Sequence, residues 1–180
     1  EEIPRFTGLN QTVKLDFLNP EEQVSERLHI YKVCSPAKDK LETLYKLLCS
    51  LGDASTLVFC NHRESVDRVM KYLHSQKVYC EAFHGGMEQD DRERALYKFR
   101  NGSCHILIST DLAARGLDIP EIRNIVHYHL PVGEDGFIHR NGRTARWEAE
   151  GSAYLILHSE EKLPSWLPEI SEEYVLPEQL

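Results

Sequence analysis

The chain has 180 residues, is 41% hydrophobic and 28% charged, and carries a formal net charge of -8. That length holds one domain with a full core, and the acidic balance excludes nucleic-acid binding through bulk positive charge, leaving only a local site for it. No apolar run approaches the roughly 20 residues that span a bilayer, and no charged-then-apolar leader directs export, which points to the cytoplasm.

Residues 1–26 read as an N-terminal extension or interdomain linker, punctuated by Pro4, Gly8 and Asn19-Pro20. The pattern then alternates. Leu28–Val33 reads as a strand and Ala37–Leu51 as a helix, with Leu41, Leu44, Leu47 and Leu48 at helical spacing. Strand Thr56–Cys60 precedes helix Glu64–His74. Strand Val78–Phe83 precedes helix Glu88–Arg100. Strands follow at His105–Thr110 and Ile125–His129; Asp135–Arg146 is helical in part, and Ala153–His158 is the last strand. Strands alternating with helices predict an α/β domain over 27–160, with a parallel sheet covered on both faces and ligands at the carboxyl ends of the strands. Residues 161–180, with Pro164, Pro168 and Pro177, read as a C-terminal tail. Its Trp166 and Tyr174 suit packing back on the domain, with partner docking as the alternative. The cysteines Cys34, Cys49, Cys60, Cys80 and Cys104 lack CxxC spacing and read as reduced, buried thiols, with no metal site.

Four loops carry chemistry. Asn61-His62-Arg63-Glu64 follows a strand; Asn61 with Glu64 fits a capping box, and the helix start can accept a phosphate. His84-Gly85-Gly86-Met87-Glu88-Gln89-Asp90-Asp91-Arg92 lets backbone approach a ligand, with Gln89 and Arg92 one turn apart. In Thr110-Asp111-Leu112-Ala113-Ala114-Arg115-Gly116-Leu117-Asp118, a buried strand ends abruptly in hydroxyl and carboxylate groups. Thr110 can donate to a phosphate oxygen, and Asp118 can accept from ribose hydroxyls. Finally, His139-Arg140-Asn141-Gly142-Arg143-Thr144-Ala145-Arg146 sets three arginines at steps of three, on one broad face if helical. Guanidinium is permanently charged and forks onto phosphate oxygens, so the tract suits a nucleoside triphosphate. Gly142 inside it costs a helix roughly 1 kcal/mol relative to alanine, which favours a turn there.

Together these strings, HGxxxQxxR, TDxAARGxD and HRxGRxxR in that order, resemble the C-terminal RecA-like domain of a DEAD-box RNA helicase, from about Arg27 to Glu160. The resemblance implies a RecA-like, P-loop-NTPase-like sheet and specific roles. Arg143 and Arg146 match arginines that reach the γ-phosphate of ATP held by a partner domain. His139 and Arg140, grouped with them as catalytic, match residues that couple the nucleotide site to the opposite domain. Asp118 matches the ribose-contacting aspartate, with Gly116 at the nucleotide beside it. Thr110 and Arg92 match positions on the RNA backbone, supported by Gln89, Asp111 and Gly85; Asn61 and Arg63 belong to a strand-end motif that touches phosphates. His62 stands where many members carry threonine. Asn141 replaces the usual aliphatic residue and Ala145 the usual glycine; Ala145 then needs right-handed backbone angles to avoid strain.

No GxxxxGK[ST] stretch and no Asp-Glu-Ala-Asp occurs. The expectation is half of a two-domain motor, inactive alone. ATP with Mg2+ would be bound mainly by an N-terminal RecA-like domain, with single-stranded or duplex RNA as partner and no membrane. A DNA translocase half and a non-catalytic adaptor are the rival readings.

Overall fold

Runs such as Leu57-Val58-Phe59 and Ile106-Leu107-Ile108 are apolar without alternation, the signature of strands buried on both faces. In the computed structural model, which describes residues 27–115, 119, 122–145, 150–170 and 172–178, they lie at the centre of the sheet. The strands are β1 (Leu28–Ser35), β2 (Thr56–Cys60), β3 (Glu81–Phe83), β4 (Ile106–Thr110), β5 (Asn124–His127) and β6 (Gly151–His158). The helices are α1 (Leu41–Leu51), α2 (Arg63–Ser75), α3 (Gln89–Arg100), α4 (Asp111–Ala114) and α5 (Glu134–Asn141). All strand pairings are parallel, in the order β1-β6-β5-β2-β4-β3.

Side chains alternate across the sheet. Val58, Ile108 and Val126 pack with Leu44, Leu47 and Leu48 of α1 and Val66, Val69 and Leu73 of α2. Leu57, Phe59, Leu107 and Ile125 pack with Ala95, Leu96 and Phe99 of α3. Helices thus cover both faces, as the alternating pattern predicts. The strand order reverses at β2, which pairs with β4 on one side and β5 on the other. The carboxyl end of β2 is therefore where such a fold opens a ligand crevice. Among the described residues no helix is long and apolar enough to cross a membrane.

Several boundaries differ from the sequence expectation, each for a local reason. α1 starts at Leu41, not Ala37, because Asp39 Oδ1 accepts the Leu41 amide at 3.2 Å and the Ser35 hydroxyl donates to the Ala37 carbonyl at 2.7 Å. β3 is only Glu81–Phe83: the Val78 amide is held by the Leu73 carbonyl at 2.9 Å, closing α2 through Lys77 at φ 63°. β5 ends at His127, after which the amides of Tyr128 and His129 converge on the Phe59 carbonyl. α5 stops at Asn141 and Gly142 begins a turn, so the arginine tract is not one helical face. Cys60, Cys80 and Cys104 are buried as expected, but Cys34 and Cys49 are exposed, which corrects the expectation of buried thiols at those two positions.

The tail lies on the domain. Glu172 and Tyr174 bracket Lys32 of β1 with hydrogen bonds of 3.0 and 2.9 Å, extending the sheet edge. The Tyr174 ring packs 5.2 Å from Tyr154 and 6.1 Å from Tyr31, and its hydroxyl donates to Ser50 Oγ at 3.1 Å. Trp166 packs 5.9 Å from Phe137.

Candidate active site at the strand carboxyl ends

Arg140 is the centre of the site and is 1% exposed. Its Nε and Nη2 grip both carboxylate oxygens of Asp111 at 2.6 and 2.7 Å. Nη1 donates to the His129 carbonyl at 2.6 Å and lies 3.4 Å from His127 Nδ1, while Nη2 donates to Asn61 Oδ1 at 2.7 Å. The guanidinium stacks 5.0 Å from the Phe59 ring. Every N–H donor of the group is engaged. Its partners lie at or just after the ends of β2, β4 and β5, three adjacent interior strands, so one buried cation ties their carboxyl ends together.

That arrangement revises the expected roles. With its donors engaged and no surface exposed, Arg140 holds the site together and does not face a ligand; it is a positioning residue. Both Asp111 oxygens serve it, so Asp111 acts through Arg140. The capping box does not form. Asn61 uses its carbonyl on Arg140 and its NH2 on the Leu130 carbonyl at 2.9 Å, and the N-cap of α2 is His62, without a side-chain cap. Buried acceptors around a guanidinium outcompete a helix cap that water can satisfy.

Arg143 follows in the turn after α5, half-buried, and donates to the Ala114 carbonyl at 2.7 Å. Arg140 and Arg143 thus hold the two ends of α4: Asp111 at its start and Ala114 at its finish. Thr110 caps the same short helix, its hydroxyl accepting the Ala113 amide at 3.4 Å, which leaves the hydroxyl proton to donate. His139 is exposed on the last turn of α5. Gly116, Asp118 and Arg146 lie outside the described residues.

A second group gathers at the end of β3. His84 is buried; its Nδ1 accepts the Gly86 amide at 3.1 Å, so Nε2 carries the proton and donates to Asp67 Oδ1 at 2.8 Å. This bond fastens the glycine loop to α2. Gly85 is exposed, and a Cβ on Gly86 would sit 3.2 Å from Arg63 Nη1, so arginine and loop adjoin. Arg92 lies 5.1 Å over the Phe83 ring with its Nε buried and unpartnered. Exposed Gln89 donates to Glu93 at 2.9 Å. Arg63, whose Nε also donates to Glu64 Oε1 at 3.3 Å, thus lies beside the glycine loop, and Gln89 and Arg92 follow that loop on α3.

Sequence reasoning missed two histidines, His127 buried and His129 half-buried. His127 Nε2 lies 2.8 Å from Asn141 Oδ1. Burial, then the neighbouring Arg140 charge, pushes its pKa down to about 3. His129 Nδ1 accepts the Asn61 amide at 3.2 Å, and burial, then Lys40 and Arg140, lowers it to about 4. Two imidazoles ending an otherwise apolar strand run were the available signal. The structure also answers for Ala145: its φ is 53°, the left-handed region, so the alanine is strained where glycine is usual.

The fold and this edge define a RecA-like α/β domain of helicase type. The model of the helicase conserved C-terminal domain matches residues 39–148, and the chain belongs to that family. It is similar to parts of DEAD-box RNA helicases. ATP-dependent RNA helicase MAK5 of Eremothecium gossypii is 40% identical over 154 residues, covering 81% of this chain and 20% of that protein. DEAD-box ATP-dependent RNA helicase 53 of Oryza sativa subsp. japonica is 37% identical over 150 residues, covering 82% and 25%. The chain thus spans a quarter or less of these curated relatives. The C-terminal domain of the DEAD-box protein Dbp5 aligns with TM-score 0.67 at 27% identity, covering 76% of this chain and 79% of that one. S. cerevisiae Dbp5 bound to RNA and ADP BeF3 aligns with TM-score 0.69 at 26% identity, covering 84% and 42%.

Proposed function

We propose that this chain is the second RecA-like half of an ATP-dependent RNA helicase. It supplies arginines to ATP and backbone contacts to RNA, and needs a companion RecA-like domain for turnover. The observation that carries this reading is the double grip on α4. Arg140 holds Asp111 and Arg143 holds Ala114, so the end of α5 and the turn after it are tied to both ends of α4. In this reading the companion domain presents the triphosphate to the turn that follows α5. Arg143 releases the Ala114 carbonyl and reaches the γ-phosphate, joined by Arg146, and both offset the charge that develops in phosphoryl transfer. Asp118 and Gly116 meet the nucleoside.

Single-stranded RNA is met by Thr110, Arg63, Gly85, Gln89 and Arg92 through its phosphates and sugars and not through base edges. Among the described residues no cluster of carboxylates, imidazoles or thiols is arranged to hold a metal. In this reading the Mg2+ that accompanies ATP is held mainly by the companion domain. Arg143→Ala in the full-length protein is expected to lower RNA-stimulated ATP turnover by about 10³-fold, as removal of an arginine finger does in related systems. Unchanged turnover removes the finger assignment.

A further inference from the structure

Asn141 departs from the aliphatic residue usual at its place in the tract, and the reading above gives it no task. It ends α5, 4% exposed, with its Oδ1 facing His127 Nε2 across 2.8 Å. His127 is fully buried on β5, stacked 5.2 Å from Phe137, with its other ring nitrogen 3.4 Å from Arg140 Nη1. A guanidinium only donates, so Nδ1 must accept. The ring proton then sits on Nε2, and Asn141 must turn its carbonyl to the ring. One imidazole thus contacts two consecutive residues of α5 and admits a single tautomer and a single amide orientation. Any slip or rotation of that last turn sets donor against donor, or leaves a buried polar atom without a partner, which is costly.

The turn that carries Arg143 hangs from these same two residues. The Arg140 carbonyl accepts the Arg143 amide at 3.2 Å, and the Asn141 carbonyl accepts the Thr144 amide at 3.1 Å. We infer that His127 and Asn141 are positioning residues for Arg143: their hydrogen bond keys the end of α5 to β5 and aims the arginine at the inter-domain nucleotide. The inference rests on the finger reading of Arg143. An aliphatic residue at 141 offers packing but no directional bond, so it fixes the helix end less sharply. The neutral state that the key requires agrees with the surroundings of His127, where burial and Arg140 both oppose a proton.

The test uses RNA-stimulated ATPase of the full-length protein, with two substitutions at one position as internal control. The side-chain amide nitrogen of His127→Gln falls near Nε2 and retains the bond to Asn141. That of His127→Asn falls near Nδ1 and loses it. Asn141→Leu and His127→Asn are expected to lower kcat about tenfold, with KM for ATP within about threefold; His127→Gln recovers most of kcat. The double variant Asn141→Leu/Arg143→Ala should lose no more than Arg143→Ala alone. Equal kcat for His127→Gln and His127→Asn overturns the inference, as does a stability loss in Asn141→Leu with kcat unchanged. If Arg143→Ala itself leaves turnover intact, the finger reading falls instead. The keying is then read from the Arg143 side-chain NMR signal, which Asn141→Leu is expected to shift; an unmoved signal overturns it. Should Asn141→Leu fail to fold, the His127 pair carries the test.

Discussion

Arg140→Ala measures the buried hub directly. Leaving one partner of a buried ion pair alone costs about 3–5 kcal/mol. The Asp111 side chain is 33% exposed, so water restores part of its solvation and the lower end applies. Asn61 Oδ1 and the His129 carbonyl also lose their donor, adding about 1 kcal/mol each. The expected loss is therefore about 5 kcal/mol, and at about 2–4 °C per kcal/mol for a domain of this size the melting temperature falls by about 10 °C or more. Urea denaturation gives the free energy, provided the slope m is unchanged. Arg140→Lys should recover less than half, because an ammonium is a point charge and cannot reach acceptors on three strands at once. A loss below about 1 kcal/mol for Arg140→Ala would refute the argument that this cation holds β2, β4 and β5 together.

Ala145→Gly relieves a left-handed φ of 53° and is expected to stabilise by about 0.5–1 kcal/mol after the added chain entropy of glycine; destabilisation in urea would contradict the strain. His127 and His129 are held neutral, so below the ordinary imidazole value of 6.5 the unfolded chain binds more protons than the folded one. Their contribution is complete above that pH and drains as pH falls through about 4 for His129 and about 3 for His127. The loss of urea midpoint between pH 7 and pH 4 should be smaller in His127→Gln than in the parent; identical profiles would rule the imidazole out. Tyr174→Ala removes the contacts to Tyr31 and Tyr154 and the hydroxyl bond to Ser50, and should cost about 1–3 kcal/mol. Unaltered stability would mean that the tail rests on β1 without holding it.

The alternation of apolar strands with amphipathic helices was enough to predict the parallel sheet, because local periodicity and the burial of both faces leave few other arrangements. The order of the three motif strings likewise pointed to the helicase family before any coordinates, since glycine, hydroxyl and arginine positions are local features. What the sequence could not show was which arginine faces in. Arg140 and Arg143 are of one type and three residues apart, yet the end of α5 at Asn141 places the first under the strand ends and the second in the turn beyond. Asn61 read as a cap because its neighbours suggested one; the partners that claim it, an acceptor at residue 130 and a donor at residue 140, lie far along the chain. Asn141 read as a departure until His127 stood beside it. Secondary structure follows from near neighbours, whereas the tasks of buried polar groups are set by partners that meet only once the sheet has formed, because a buried donor must find its acceptor wherever the fold supplies one.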